Sequence, residues 1–148
     1  MKKTGKFIAV IVAVAVVIGL ALYFRPLPLS ELVSGEQKIL ITHVEVGVEN
    51  GKAYTDSANY NDLTDEQKDR VLSLFQDYSY KRTFGTILSD GSLSGLGSDL
   101  VHIFTYKEDT LVNTISVSSS GSVSVNDKTY ALSKSSEFIE QLLEIISG

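Results

Sequence analysis

Phe7 to Phe24 form an unbroken run without a charged side chain, and Val, Ile, Leu and Phe make up two thirds of it. As a helix rising 1.5 Å per residue, the run reaches about 27 Å, close to the roughly 30 Å of a bilayer's hydrocarbon core. Its bulky apolar residues favour insertion by roughly 4 to 7 kcal/mol in total. A helix in a soluble core normally keeps one polar stripe, and this run has none. Beyond it the pattern changes. Pro26 and Pro28 stop any helix, Leu29 to Val33 suit one helical turn, and Gly35 ends it. From Lys38 to Glu49 the side chains alternate, with Leu40, Val44, Val46 and Val48 on one side and His43, Glu45 and Glu49 on the other, as in a half-buried strand. Asn50-Gly51 is a hairpin turn leading into a short strand over residues 52–55.

Thr64 followed by Gln67 has the form of a capping box. It opens a helix whose Val71, Leu74, Phe75 and Tyr78 recur at i, i+3, i+4 and i+7. A strand is expected over residues 78–88, then a Gly/Ser loop over 89–98. The next strand covers 99–107, with Leu100, His102, Phe104 and Tyr106 on one face and Val101 and Ile103 on the other, the mark of an interior strand. Glu108-Asp109 turns the chain into a strand over 110–118 with Leu111, Ile115 and Val117 inward. Two short strands follow, 122–125 and 128–132, joined at Asn126-Asp127. A last helix starts near Ser135, its apolar stripe made by Phe138, Ile139, Leu142, Leu143 and Ile146. Hairpins with helices between and after them predict an α+β fold: an antiparallel sheet of five to seven strands packed by two helices, preceded by one N-terminal transmembrane helix. The expected organisation is a basic cytoplasmic tail over 1–6, a transmembrane signal-anchor over 7–24, a stalk over 25–37 and an extracytoplasmic domain over 38–148.

Charge gives that layout a direction. Lys2, Lys3 and Lys6 precede the apolar run and all 18 acidic residues follow it. Basic residues are retained on the cytoplasmic side, which places the carboxyl-terminal domain outside. A cleaved secretory signal is the competing reading, with Gly19-Leu20-Ala21 as the cleavage region. The apolar run is longer than the usual 7 to 15 residues of such signals and continues through Leu22, Tyr23 and Phe24. Both readings put the domain beyond the cytoplasm. From Arg25 onward the chain carries 10 basic and 18 acidic side chains, a net −8. Such a surface repels phosphate backbones and excludes a nucleic-acid partner. The absence of Cys excludes disulfides, zinc-thiolate sites and thiol nucleophiles.

Little chemistry is legible. His43 and Glu45 project from the same side of one strand and could offer two metal ligands, but an exposed polar strand edge is the reading preferred for them. His102 beside Leu100, Phe104 and Tyr106 reads as a hydrogen-bonded histidine next to a core. Asp56, Asn59, Asn61, Asp62 and Asp65 gather oxygen ligands without the spacing of a calcium loop, and a solvated loop before a helix cap accounts for them. Gly91-Ser92-Leu93-Ser94-Gly95 lacks the spacing of a nucleophile elbow, and Gly95-Leu96-Gly97 lacks the third glycine of a dinucleotide site. No catalytic residue, metal site or cofactor is assigned. Tyr78, Tyr80, Arg82 and Phe84 would line one face of an extended strand, a Tyr/Arg/Phe stripe suited to anchoring a partner or stacking on a sugar, while core packing under a helix explains the aromatics equally well.

The stretch Leu72-Ser73-Leu74-Phe75-Gln76-Asp77-Tyr78-Ser79-Tyr80-Lys81-Arg82, with Gly121-Ser122-Val123-Ser124-Val125-Asn126-Asp127-Lys128-Thr129-Tyr130 after it, resembles the small membrane-anchored extracytoplasmic domains of unknown function found in Gram-positive gut bacteria. The resemblance implies a cell-envelope setting and carries no site residues with it. The expected function is a membrane-anchored binding or interaction module for another envelope protein or a glycan. The alternatives are an envelope enzyme using Asp/Glu chemistry, and an input domain or inhibitor acting on an envelope partner.

Overall fold

The computed structural model describes the backbone of residues 2–93 and 98–148, with side chains throughout those ranges except at 2–7. The helix α1 covers Lys2–Tyr23 and closes with Phe24 N–H donating to the Leu20 carbonyl at 3.0 Å, two residues before Pro26. From Ile8 to Leu22 its large apolar side chains are 47% to 66% exposed. Among the described residues no helix is long and apolar enough to cross a membrane; in α1 the described side chains begin at Ile8, so part of the apolar run at Phe7 lies outside them.

Among the described residues eight strands form one antiparallel sheet: β1 (Leu27–Pro28), β2 (Lys38–Glu49), β3 (Lys52–Tyr60), β4 (Ser79–Lys81), β5 (Asp99–Lys107), β6 (Thr110–Ser118), β7 (Ser122–Val125) and β8 (Lys128–Leu132), in the spatial order β1-β4-β8-β7-β6-β5-β2-β3. The antiparallel α+β class is as expected, and the strand count exceeds the five to seven read from the pattern. The additional strand is β1, a two-residue edge on β4 that is too short to show any alternation. Next to it Leu29 is fully buried and Val33 nearly so, so residues 27–33, expected within a stalk, are docked against the domain.

Two helices, α2 (Asp65–Gln76) and α3 (Ser135–Ser147), lie on one face of the sheet. Beneath them sit Ile39 and Ile41 of β2, Val101 and Ile103 of β5, Ile115 and Val117 of β6, and Val123 and Val125 of β7. Phe138 is the centre of this layer, edge-on to Phe75 at 5.4 Å and to Tyr78 at 5.1 Å between ring centroids. The inward side of β2 is therefore the Ile39/Ile41 side, opposite to the side carrying Leu40, Val44, Val46 and Val48. The run Ile39-Leu40-Ile41 is apolar on both sides, and the helices decide which side is covered.

Three further differences have local causes. The strand expected over 78–88 stops at Lys81, where Thr83 and Thr86 form a reciprocal cap that starts a 3-10 turn at Phe84–Ile87. The strand after Asn50-Gly51 runs on to Tyr60, nearly all of it exposed, because it pairs residue by residue with β2. Leu111 is 47% exposed instead of inward. A register shift at Thr105/Tyr106 leaves Val112 unpaired, a β-bulge that reverses the side presented by the start of β6.

Candidate functional site

Tyr78, Tyr80, Arg82 and Phe84 do not share one face. Tyr78 and Tyr80 are 8% and 7% exposed and belong to the core, Tyr80 packing edge-on against Tyr130 at 4.9 Å. Burial pushes both phenols above their ordinary pKa of 10.0. With the strand ending at Lys81, Arg82 and Phe84 turn toward the end of α1. The Arg82 guanidinium lies 5.5 Å from the Tyr23 ring centroid and donates to the Tyr23 carbonyl at 3.5 Å, while Phe84 meets Phe24 at 4.8 Å.

His43 and Glu45 project to one side of β2, as their alternation requires, and then take separate partners. His43 Nε2 is 3.6 Å from Asp99 Oδ1, too far for a hydrogen bond and close enough to pair electrostatically once the ring is protonated. Glu45 Oε1 accepts from the Tyr54 hydroxyl at 2.6 Å. The oxygen-rich segment is spread out along the chain. Asp56 and Asn59 lie in β3, where Asn59 Oδ1 accepts from Thr42 Oγ1 at 2.7 Å, and Asp65 opens α2. The solvated loop expected there is thus a strand for its first half. Among the described residues no group of three or more His, Asp or Glu side chains is placed to hold a metal ion. The Gly95-Leu96-Gly97 segment and the end of the Gly91–Gly95 run lie outside the described residues.

The face of the sheet turned away from α2 and α3 carries the other alternating set. Cross-strand register puts Asn59, Thr42, His102, Ser116, Ser124 and Thr129 in one row across β3, β2, β5, β6, β7 and β8. Leu40 and Phe104 are opposite each other on one side of this row, Val44 and Leu100 on the other. On β2 and β5 the result is a polar line between apolar margins, with Leu40, Val44, Leu100 and Phe104 half-buried, and on β6 the margins become Thr114 and Ser118. At its middle His102 Nδ1 and Ser116 Oγ are 2.8 Å apart, and the imidazole lies nearly parallel to Phe104 at 6.5 Å. Burial, with no charged neighbour contributing, pushes the His102 pKa below 6.5. At neutral pH the ring is therefore uncharged, able to donate from one nitrogen and accept at the other. Among the described residues no carboxylate orients this imidazole, and the His–Ser pair is equipped to exchange hydrogen bonds with a ligand.

Sequence reading singled out His102 and missed Ser116. The Glu108-Asp109 turn pairs Lys107 with Thr110, and an unbroken ladder from that pair sets Ile115 opposite His102. The bulge at Val112 advances the register by one and brings in Ser116.

The other end of the row is closed by residues 86–92, which run along β8 beyond the end of β4. Ser89 Oγ accepts from Thr129 N–H at 2.9 Å, and Lys128 Nζ donates to the Ser89 carbonyl at 3.0 Å. Elsewhere, an open concavity of about 410 Å³ beside the start of α2 is lined by Glu36, Lys38, Asp62, Asp65 and Lys68 among others. Its mixed charges and open shape give it no preferred ligand class. Comparison with protein-family models, with curated proteins and with solved structures finds no match to this chain.

Proposed function

We propose that the protein is a membrane-tethered binding module, held by α1 in the cytoplasmic membrane with its α+β domain on the outer side, and that the uncovered sheet face around His102 receives another envelope protein or a glycan. The binding reading rests on one observation: the sheet is covered by helices on one face, while its other face carries a polar row that passes between half-buried apolar side chains on β2 and β5. Such a surface offers both desolvation and directed hydrogen bonds. The tether reading draws support from a helix whose apolar side chains are exposed along its described length, and from the three lysines that precede its apolar run.

The test is site-directed photo-crosslinking of the full-length protein in its native envelope. Crosslinking side chains replace Thr42 or Tyr106 on the open face, and Glu140 on the outer surface of α3 as the comparison. A discrete adduct from the open-face positions, absent from Glu140, supports the reading. Identical patterns from all three positions, or none from Thr42 and Tyr106, reject it. Protease added to intact cells tests orientation, since removal of the domain is expected only if it lies outside.

A further inference from the structure

Among the described residues outside α1, the most exposed large apolar side chains are Leu88 at 90%, Phe84 at 80% and Ile87 at 65%. They fall within five residues, on and just after the 3-10 turn. That turn stands where the domain meets the end of α1, with Phe84 against Phe24 and Arg82 against Tyr23. The charge of this corner is also unlike the rest. The domain is strongly acidic, yet residues 78–89 contain Lys81 and Arg82 and no acidic residue, and Arg25 adjoins them with none before Glu31. Aromatic rings, exposed aliphatic tips and flanking basic groups are the combination that settles at a bilayer interface, where apolar tips enter the acyl boundary and cations meet lipid phosphates.

We propose that Phe84, Ile87 and Leu88 form a second membrane contact, dipping into the outer interface of the bilayer that α1 enters, with Arg25, Lys81 and Arg82 at the headgroups. The occupant of this apolar surface is lipid, because the surface continues the aromatic end of α1 and carries the charge that anionic headgroups attract. The proposal rests on the tether reading. Its consequence for function is orientation: the domain is held against the membrane at the β1–β4 edge, leaving β3, at the opposite edge of the sheet, farthest from that contact.

The protein contains no Trp, so single tryptophans report directly. Full-length Phe84→Trp, Leu88→Trp, Val48→Trp and Leu20→Trp variants are reconstituted in vesicles of phosphatidylethanolamine and phosphatidylglycerol, with and without brominated lipid. Val48 is the exposed reference, near the β2–β3 turn. The expected result is blue-shifted, bromine-quenched emission at positions 84, 88 and 20, and unquenched, water-like emission at 48. If Leu20→Trp is quenched while Phe84→Trp and Leu88→Trp emit like Val48→Trp, the tether stands and the second contact is overturned. An unquenched Leu20→Trp overturns the tether and this proposal together. A blue shift at 84 and 88 that requires added envelope protein instead of lipid also overturns it.

Discussion

Tyr54 lies across Gly47, its register partner on the neighbouring strand, so closely that a Cβ at position 47 would come within 2.5 Å of the tyrosine ring. The glycine leaves a gap on the face of β2, and the aromatic side chain fills it, as happens elsewhere when a ring shields a strand glycine. In that position the Tyr54 hydroxyl reaches Glu45 at 2.6 Å. The hydrogen bond to Glu45 and its charge, with smaller contributions from desolvation, Asp99 and Asp56, raise the Tyr54 pKa above 10.0.

Because the ring is the outer end of an exposed side chain, Gly47→Ala should displace Tyr54 and leave the sheet standing. The Tyr54 phenol is then expected to titrate closer to 10.0, and Glu45→Gln should move it in the same direction. Spectrophotometric or NMR titration of the tyrosines checks both. An unchanged Tyr54 titration in Glu45→Gln would show that the carboxylate does not set it.

His102 gives the fold a pH dependence with a defined sign. Its folded pKa is depressed by burial below the ordinary 6.5, so the unfolded chain takes up the proton first. The associated stability is fully present above about pH 6.5 and is lost as pH falls through the lowered folded value. His102→Asn should flatten this part of the curve while keeping a side chain able to reach Ser116. Urea midpoints at pH 8 and pH 5, compared between the two proteins, isolate the contribution of His102. A pH profile identical in the variant would contradict the assignment.

Gln67 joins the beginning of α2 to the end of α3. Its Oε1 accepts from Thr64 N–H at 3.0 Å, completing the capping box, and its Nε2 donates to the Ile145 and Ile146 carbonyls at 3.3 and 3.2 Å. Gln67→Ala removes all three bonds and should cost about 1.5 to 4.5 kcal/mol, each bond being worth roughly 0.5 to 1.5. Arg70→Ala, on the exposed side of the same helix, should stay within about 0.5 kcal/mol of the parent. Chemical denaturation of both variants provides the comparison.

Gly91 and Gly51 have nearly the same backbone angle, φ of +79° and +76°, and different surroundings. A Cβ at Gly51 meets open space, whereas one at Gly91 would lie 2.6 Å from Asp127 Cα and 2.9 Å from Ser124 Oγ. Gly51→Ala should therefore cost about 1 kcal/mol, from the left-handed backbone alone. Gly91→Ala should cost about 2 to 3, because the loop must also move off the β7–β8 turn. Equal losses in thermal denaturation would mean that the loop does not bear on that turn.

Burying Phe138 between Phe75 and Tyr78 predicts a loss of about 3 to 5 kcal/mol for Phe138→Ala. That is a large part of the stability of an ordinary small domain, and a loss under about 1 kcal/mol would place the centre of the core elsewhere.

The sequence by itself determined the elements whose signals are local. Thr64 and Gln67 cap α2 because a side chain three residues away is within reach in any first turn. Asn50-Gly51 and Asn126-Asp127 turn the chain because each residue there takes a positive φ. The stripe of Phe138, Ile139, Leu142 and Ile146 marks α3 from its period alone. Tertiary structure decided what depends on partners distant in the chain. The strand Leu27–Pro28 exists only because β4 is beside it. The covered side of Ile39-Leu40-Ile41 was settled by where α2 and α3 pack, both sides being apolar. Ser116 reached His102 only through the bulge at Val112, since one unpaired residue moves every later pair of a ladder to a new partner. The Tyr78 to Phe84 stripe divided between core and the end of α1 because the strand that would have kept it on one face ends at Lys81.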